Sequence, residues 1–345
     1  MVEYFGGWIA ASWVAVADGA DSGVAAEPCA PAAGRSWFLP DGTTVKNQDA
    51  YVVVMNPFDA EAVFSLTVVT EARTVRSKDW SNFLLAPRRT AVFHLNDKVL
   101  GDTTVATRLD VSIGRVAASS MGISKKGGIR SAIGTPASAP RLVLAGVADA
   151  GPSEIPVLAA GGRAVTYRVT VLSEAGSHPA GGLTEERLAP GADQTERVNA
   201  PAAALLLQAS EGGRLVPARR SFGLKGDRGS TPGLAPRSAW MLSTAAAADD
   251  DEVRIYLANP GRRPIQIRLS ALSDSGPRAA ARALVNLPPG TTVAVPTAFD
   301  PDHALDSVLA VAQNGTFVPV EASYAAAGSG YAVAAGVPIP SRWVP

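Results

Sequence analysis

The chain has 345 residues, with 31 Lys and Arg against 31 Asp and Glu, and a net charge of zero gives no global field to draw in nucleic acid or anionic lipid. The length exceeds one ordinary domain, and a hydrophobic content of 47% can fill two or three cores. A single cysteine, Cys29, excludes an intrachain disulfide, so cysteine usage does not report the redox compartment.

Residues 1–36 come first as N-terminal strands, a partial module. The apolar run at 4–17, with Gly6, Gly7, Trp8 and Trp13, is shorter than the roughly 20 residues a helix needs to cross a bilayer. Glu3 is its only early charge, so it lacks the basic flank of a signal peptide. The expectation is a strand pair continuing from a missing N-terminal part.

From residue 37 the chain repeats itself. Trp37-Phe38-Leu39 returns as Trp240-Met241-Leu242, Asn56-Pro57 as Asn259-Pro260 and Thr70-Glu71 as Ser273-Asp274, all at one spacing. A middle copy aligns Val165-Thr166-Tyr167-Arg168 with Ile265-Gln266-Ile267-Arg268, and has Ala159-Ala160 in place of Asn-Pro. Turns recur at Leu85-Ala86-Pro87, Leu188-Ala189-Pro190-Gly191 and Leu287-Pro288-Pro289-Gly290. Within each copy apolar residues alternate with polar ones, as in Val63-Phe64-Ser65-Leu66-Thr67-Val68. A period of two sends one set of side chains into a core and the other toward solvent, which is a strand pattern. Short strands divided by Gly, Pro and Asn turns predict an all-β chain of three tandem immunoglobulin-like antiparallel β-sandwich modules. The modules are 37–124, 141–223 and 239–345, the last with a short C-terminal tail. Residues 125–140 and 224–238, rich in Gly, Pro and charge, are expected linkers. The alanine-rich stretches at 244–248 and 277–283 lack an apolar helical stripe and are expected as loops or single turns.

Chemistry-bearing motifs are sparse. No nucleophile elbow, zinc-helix motif, Walker loop or dinucleotide fingerprint occurs, and no cofactor or metal is expected. His94 reads as a strand residue and His178 as a turn residue, whereas His303 is the one histidine with sequence-adjacent carboxylates. Cys29 has no basic neighbour to activate it and reads as a turn cysteine. The acidic groups 249–252 and Asp300, Asp302, Asp306 read as solvated loops, and the second is the candidate calcium set. Lys125, Lys126 and Arg130 cluster without interleaved aromatics, which argues against nucleic acid, and Arg219-Arg220 is expected to face solvent. Trp37 and Trp240 recur and are assigned to cores. Trp80, in a polar loop without counterpart in the other copies, is the candidate glycan platform, with core packing as its other reading.

The order and spacing of Ala25-Ala26-Glu27-Pro28-Cys29, Trp37-Phe38-Leu39-Pro40-Asp41-Gly42, the two Asn-Pro pairs and the Leu-x-Pro-Gly turns resemble the actinobacterial envelope proteins classed as DUF5719, a domain of unknown function. The resemblance covers most of 25–340. It implies a secreted or surface protein, membrane-bound only through an upstream anchor missing from this chain, and it transfers no catalytic residues. The functional expectation is a non-catalytic structural, adhesion or scaffold protein of the envelope. Its partner would be another surface protein or a cell-wall polysaccharide, and the alternative is a carbohydrate-binding protein with its site on the first module.

Overall fold

A computed structural model describes residues 9–340, apart from 18, 20–21, 126, 147–150, 211, 224–227, 244–251, 274–275, 297–306 and 325–330. The described chain is nearly all strand, and every strand pairing is antiparallel. A hairpin of β1 (Ser12–Ala17) and β2 (Gly23–Pro28) opens it.

One strand order then occurs three times. The first unit comprises β3 (Ser36–Gly42), β4 (Gln48–Met55), β5 (Ala62–Thr70), β6 (Thr74–Val75), β7 (Phe83–Leu85), β8 (Thr90–His94), β9 (Val105–Ile113), β10 (Ala117–Ser124) and β11 (Gly128–Ile133). Its sheets run β3-β9-β5, with β6 and β7 both on β5, and β11-β10-β4-β8. The second unit comprises β12 (Arg141–Leu144), β13 (Ser153–Ala159), β14 (Val165–Ser173), β15 (Gly176–Pro179), β16 (Glu186–Leu188), β17 (Asp193–Val198), β18 (Ala204–Ala209), β19 (Leu215–Phe222) and β20 (Arg228–Pro232). Its sheets run β12-β18-β14, with β15 and β16 on β14, and β20-β19-β13-β17. The third comprises β21 (Ala239–Leu242), β22 (Glu252–Asn259), β23 (Ile265–Ser273), β24 (Gly276–Leu287), β25 (Thr291–Pro296), β26 (Ser307–Ala312), β27 (Val318–Tyr324), β28 (Tyr331–Ala335) and β29 (Val337–Pro338). Here the orders are β29-β21-β26-β23-β24 and β28-β27-β22-β25.

Alternation builds each core. In β4 Val52 and Val54 point inward, against Phe64, Leu66 and Leu109 of the facing sheet. Trp37 and Trp240 are buried at 2% and 1% exposure, and each indole N–H donates to the carbonyl of the residue just before β10 or β27, to Val116 O at 2.8 Å and to Phe317 O at 2.9 Å. The Asn-Pro pairs explain themselves here. Asn56 Nδ2 donates to Ala60, Leu85 and Ala86 carbonyls while its Oδ1 accepts from Phe58 N. Asn259 repeats the pattern on Arg263, Leu287, Pro288 and Gly261. Each fully buried amide thus ties the end of one strand to the turn leading into another.

The expected linkers are strands. β11 lies within 125–140 and β20 within 224–238, and both are buried almost throughout. Their composition misleads because they face other strands at close range, where small and polar residues predominate. The alanine stretch at 277–283 likewise belongs to β24, while 244–248 falls outside the described residues.

These inner strands organise the whole molecule. β2 packs on β11, β11 on β20, β20 on β28, and β28 on β2, closing a ring. Between β2 and β28 the contact is apolar, through Val24, Ala26, Ala332 and Ala334. Between β2 and β11, a Cβ built at Gly23 would lie 2.9 Å from Gly128 Cα, so these backbones touch directly. Neighbouring units also share cores. Phe38, Val69 and Ala106 of the first cover Leu158 and Val216 of the second. Val143, Leu172 and Leu206 of the second join one cluster with Tyr256, Val318 and Val320 of the third. Through these contacts the opening hairpin and the three units are continuous with one another.

Candidate functional site

Trp80 closes a short 3₁₀ turn at Lys78–Trp80 whose cap is Ser77, and its ring enters the first core at 5% exposure. Of its two readings, core packing is the observed one. A buried ring gives sugars no face to stack on, so the glycan platform on this residue is withdrawn. Asp300, Asp302, Asp306 and His303 lie outside the described residues, and among the described residues no cluster of His, Cys, Asp and Glu is arranged to hold a metal ion. His178 sits in β15 and is exposed. The histidine that meets carboxylates is His94. Its Nε2 lies 3.0 Å from Asp49 Oδ1, its Nδ1 lies 2.9 Å from Asp97 Oδ1, and its ring stacks on Tyr51 at 4.7 Å. The register of β4 against β8 makes that pair, which adjacency along the chain could not reveal.

A buried polar cluster joins the first and second units. Asp41, at the end of β3, accepts from Arg130 of β11 and from Arg220 of β19, and all three side chains are 2–3% exposed. Arg220 also donates to Glu154 Oε2 at 3.1 Å and to Gly42 O at 2.7 Å. Burial opposes the charge on Asp41, but the Arg220 and Arg130 guanidiniums outweigh it and hold its carboxyl well below the usual range. Arg219, beside it, is completely buried in a cage formed by Ser153 Oγ and the carbonyls of Gly146, Ala200 and Ala203, and burial lowers its pKa to about 10. The expectation that Arg219 and Arg220 face solvent is therefore corrected, and Arg130, expected in a linker, lies in β11. The signal was present in part: two consecutive arginines in a strand cannot both point outward when side chains alternate.

A mainly apolar cleft of about 370 Å³ lies between the β1–β2 hairpin and the outer face of the first unit's four-stranded sheet. Trp13, Cys29, Val53, Met55 and Thr90 line it, and Val337 reaches it from the third unit. Glu27 lines its floor at 4% exposure, accepting from Trp13 Nε1 at 3.0 Å and Ser131 Oγ at 2.7 Å. Burial lifts the Glu27 carboxyl from 4.5 to about 7. Cys29 is exposed, and burial together with the nearby Glu27 charge raises its thiol pKa, which disfavours the reactive thiolate. This is the chemistry of a surface that receives apolar groups, with its one acid already committed to two donors.

A search of curated proteins finds no match to this sequence. A family model described as a family of unknown function, DUF5719, matches residues 5–195, more than half of the chain. The matched span holds the opening hairpin, all of the first unit and the start of the second, with Asp41, Arg130 and the cleft residues Trp13 to Thr90. The chain therefore belongs to the DUF5719 family.

Proposed function

We propose that the chain is a non-catalytic scaffold of the cell envelope that holds another surface protein or a cell-wall component. The observation that carries this is the contrast between the units. The outer faces of the second and third four-stranded sheets are covered by the preceding unit, whereas that of the first is open, with Val92 at 61% exposure. A chain that leaves an apolar sheet face uncovered among its described residues suits holding a partner rather than turning over a substrate. The envelope address rests on the resemblance of the repeated Asn-Pro and Trp motifs to surface proteins.

The test immobilises the full chain and passes native envelope extract over it. One protein or cell-wall polymer retained saturably, with the native chain itself in the envelope fraction, supports the scaffold. Catalytic turnover by the purified chain, or its confinement to the cytoplasm, overturns it.

A further inference from the structure

We propose that the contact between the first and second units is a proton-operated latch, closed while the Asp193 side chain carries a proton and loosened when it ionises. The latch goes beyond the scaffold reading and does not depend on what the scaffold holds.

The repeat shows what this position needs. Asp193 faces Leu158 across β17 and β13, Thr292 faces Ala258 across β25 and β22, and Thr90 faces Met55 across β8 and β4. These are equivalent places, and two of the three units fill them with threonine. In the third unit the hydroxyl has a visible task. Thr292 Oγ1 accepts from Ala204 N at 3.1 Å and so joins the third unit to β18 of the second. Ala204 faces Leu172 as Ala106 faces Val69, and Ala106 of β9 is the residue beside Asp193 one unit earlier. A neutral hydroxyl therefore suffices to join two units here, and the second unit carries an acid instead.

The surroundings make the charge of that acid costly. Asp193 is 6% exposed. Thr195, on the same face of β17, meets Thr104 of the first unit, Oγ1 to Oγ1, at 2.7 Å. Both carboxylate oxygens of Asp193 are buried, and neither completes a hydrogen bond within the protein. Its own N–H and that of Ala106 lie close enough to favour the charge, but they offset burial only in part. The charged groups that act on it from the first unit are Glu71, after β5, and Asp102, before β9, and both are acids. Arg73, the base beside them, lies 3.9 Å from Asp102. Farther along β9 Arg108 is engaged by Asp110, and on the second unit Arg197 and Arg220 are engaged by Glu154. Burial, reinforced by the charges of Glu71 and Asp102, raises the Asp193 carboxyl from 3.8 to about 7.

The direction of the pH effect follows. Below pH 3.8 the proton is present whether the contact is open or closed, and the acid adds no penalty. Between 3.8 and about 7 opening releases a proton, so each pH unit favours the open contact about tenfold. Above about 7 the closed contact has lost its proton too, and the effect levels off. The Asp41 carboxyl is held well below this range, so its pairs with Arg130 and Arg220 keep their charges throughout. That cluster holds the two units together while the Asp193 end loosens.

Two measurements on the full chain test the latch. In carbon-detected NMR of the side-chain carboxyls, Asp193 should titrate well above pH 5. Amide exchange, divided by the intrinsic rates, should lose protection at residues 104–106 and 193–195 by at least about tenfold between pH 5 and pH 7. Asp193→Thr, which installs the residue of the other two units, should show no such loss; a variant that does not fold leaves the carboxyl titration to decide. Titration of Asp193 below pH 5, protection at these amides that is independent of pH in the parent, or an equal loss in Asp193→Thr overturns the proposal. So does recovery of protection at neutral pH on adding calcium chloride to the parent but not to Asp193→Thr, since the acids would then be a cation site.

Discussion

A side-chain amide at the end of a strand does more here than any single apolar group. Asn259, itself fully buried, gives two N–H donors to three carbonyls and accepts from Gly261. Replacing it with Leu strands those partners, and the expected loss is about 2–3 kcal/mol in urea unfolding, with m unchanged. Backbone conformation at the next turn is also legible through the repeat. Gly191 and Gly290 both have φ of 68°, while the first unit places Arg88 there at 55°. Arg88→Gly relieves the left-handed strain at the cost of an exposed pair with Asp59, so its melting temperature should equal or exceed that of the parent. Glu27 adds a pH dependence. Its folded pKa lies above its unfolded value, so its penalty is absent below pH 4.5 and grows until pH passes about 7, where it reaches at most about 3 kcal/mol. Asp193, raised from 3.8 to about 7 by burial, acts in the same direction. Melting temperature should fall between pH 5 and pH 8, and Glu27→Gln should flatten that fall.

At the scale of elements, the strands that carry alternation could be read directly, and those at the ring could not. β5 and β23 alternate because each has one face on a core. β11 and β20 have close neighbours on both sides, and apart from Ile129, Ile133 and Pro232 their residues are Gly, Arg, Ser, Thr and Ala, which in a sequence look like a linker. The repeat holds the sharper clue. Gly134, Gly233 and Gly336 follow the inner strands of the three units, where the chain turns back to its first strand. A Cβ at Gly134 would lie 2.9 Å from Ala118 O and 3.0 Å from the Trp37 ring. Gly134→Val should therefore cost about 1–3 kcal/mol through overpacking, whereas Val92→Thr on the open face should change stability by less than about 0.5 kcal/mol; paired thermal melts check both. Trp80 makes the complementary point. A polar loop sequence surrounds it, yet the short turn capped by Ser77 rotates the ring inward, and only the turn's geometry decides that.

Across the whole molecule, the buried Asp41 carboxylate links two units through arginines 130 and 220. Removing one partner of such a group leaves buried charge uncompensated, so Asp41→Asn is expected to cost about 3–5 kcal/mol. Its folded pKa lies below its unfolded 3.8, so the stability it supplies is complete above that value and is lost as pH falls below it. Because the same cluster spans the first and second units, and one apolar cluster spans the second and third, thermal unfolding should be a single transition in the parent chain. In Asp41→Asn the first unit should melt separately in calorimetry.

The sequence by itself determined the strand character of the chain, the recurrence of its Trp, Asn-Pro and Pro-Gly landmarks, each in two of the three copies, and the core positions of Trp37 and Trp240. Those depend on neighbours within a few residues and on a period of two, both of which are written along the chain. Tertiary structure alone decided the rest: that the Gly- and Arg-rich segments are the innermost strands, that His94 meets Asp49 and Asp97, that Arg219 and Arg220 are buried, and that Trp80 is covered. The inner strands, the buried arginines and the meeting of His94 with Asp49 depend on contacts between segments far apart in sequence, and the energy of such a contact leaves no local periodicity to read.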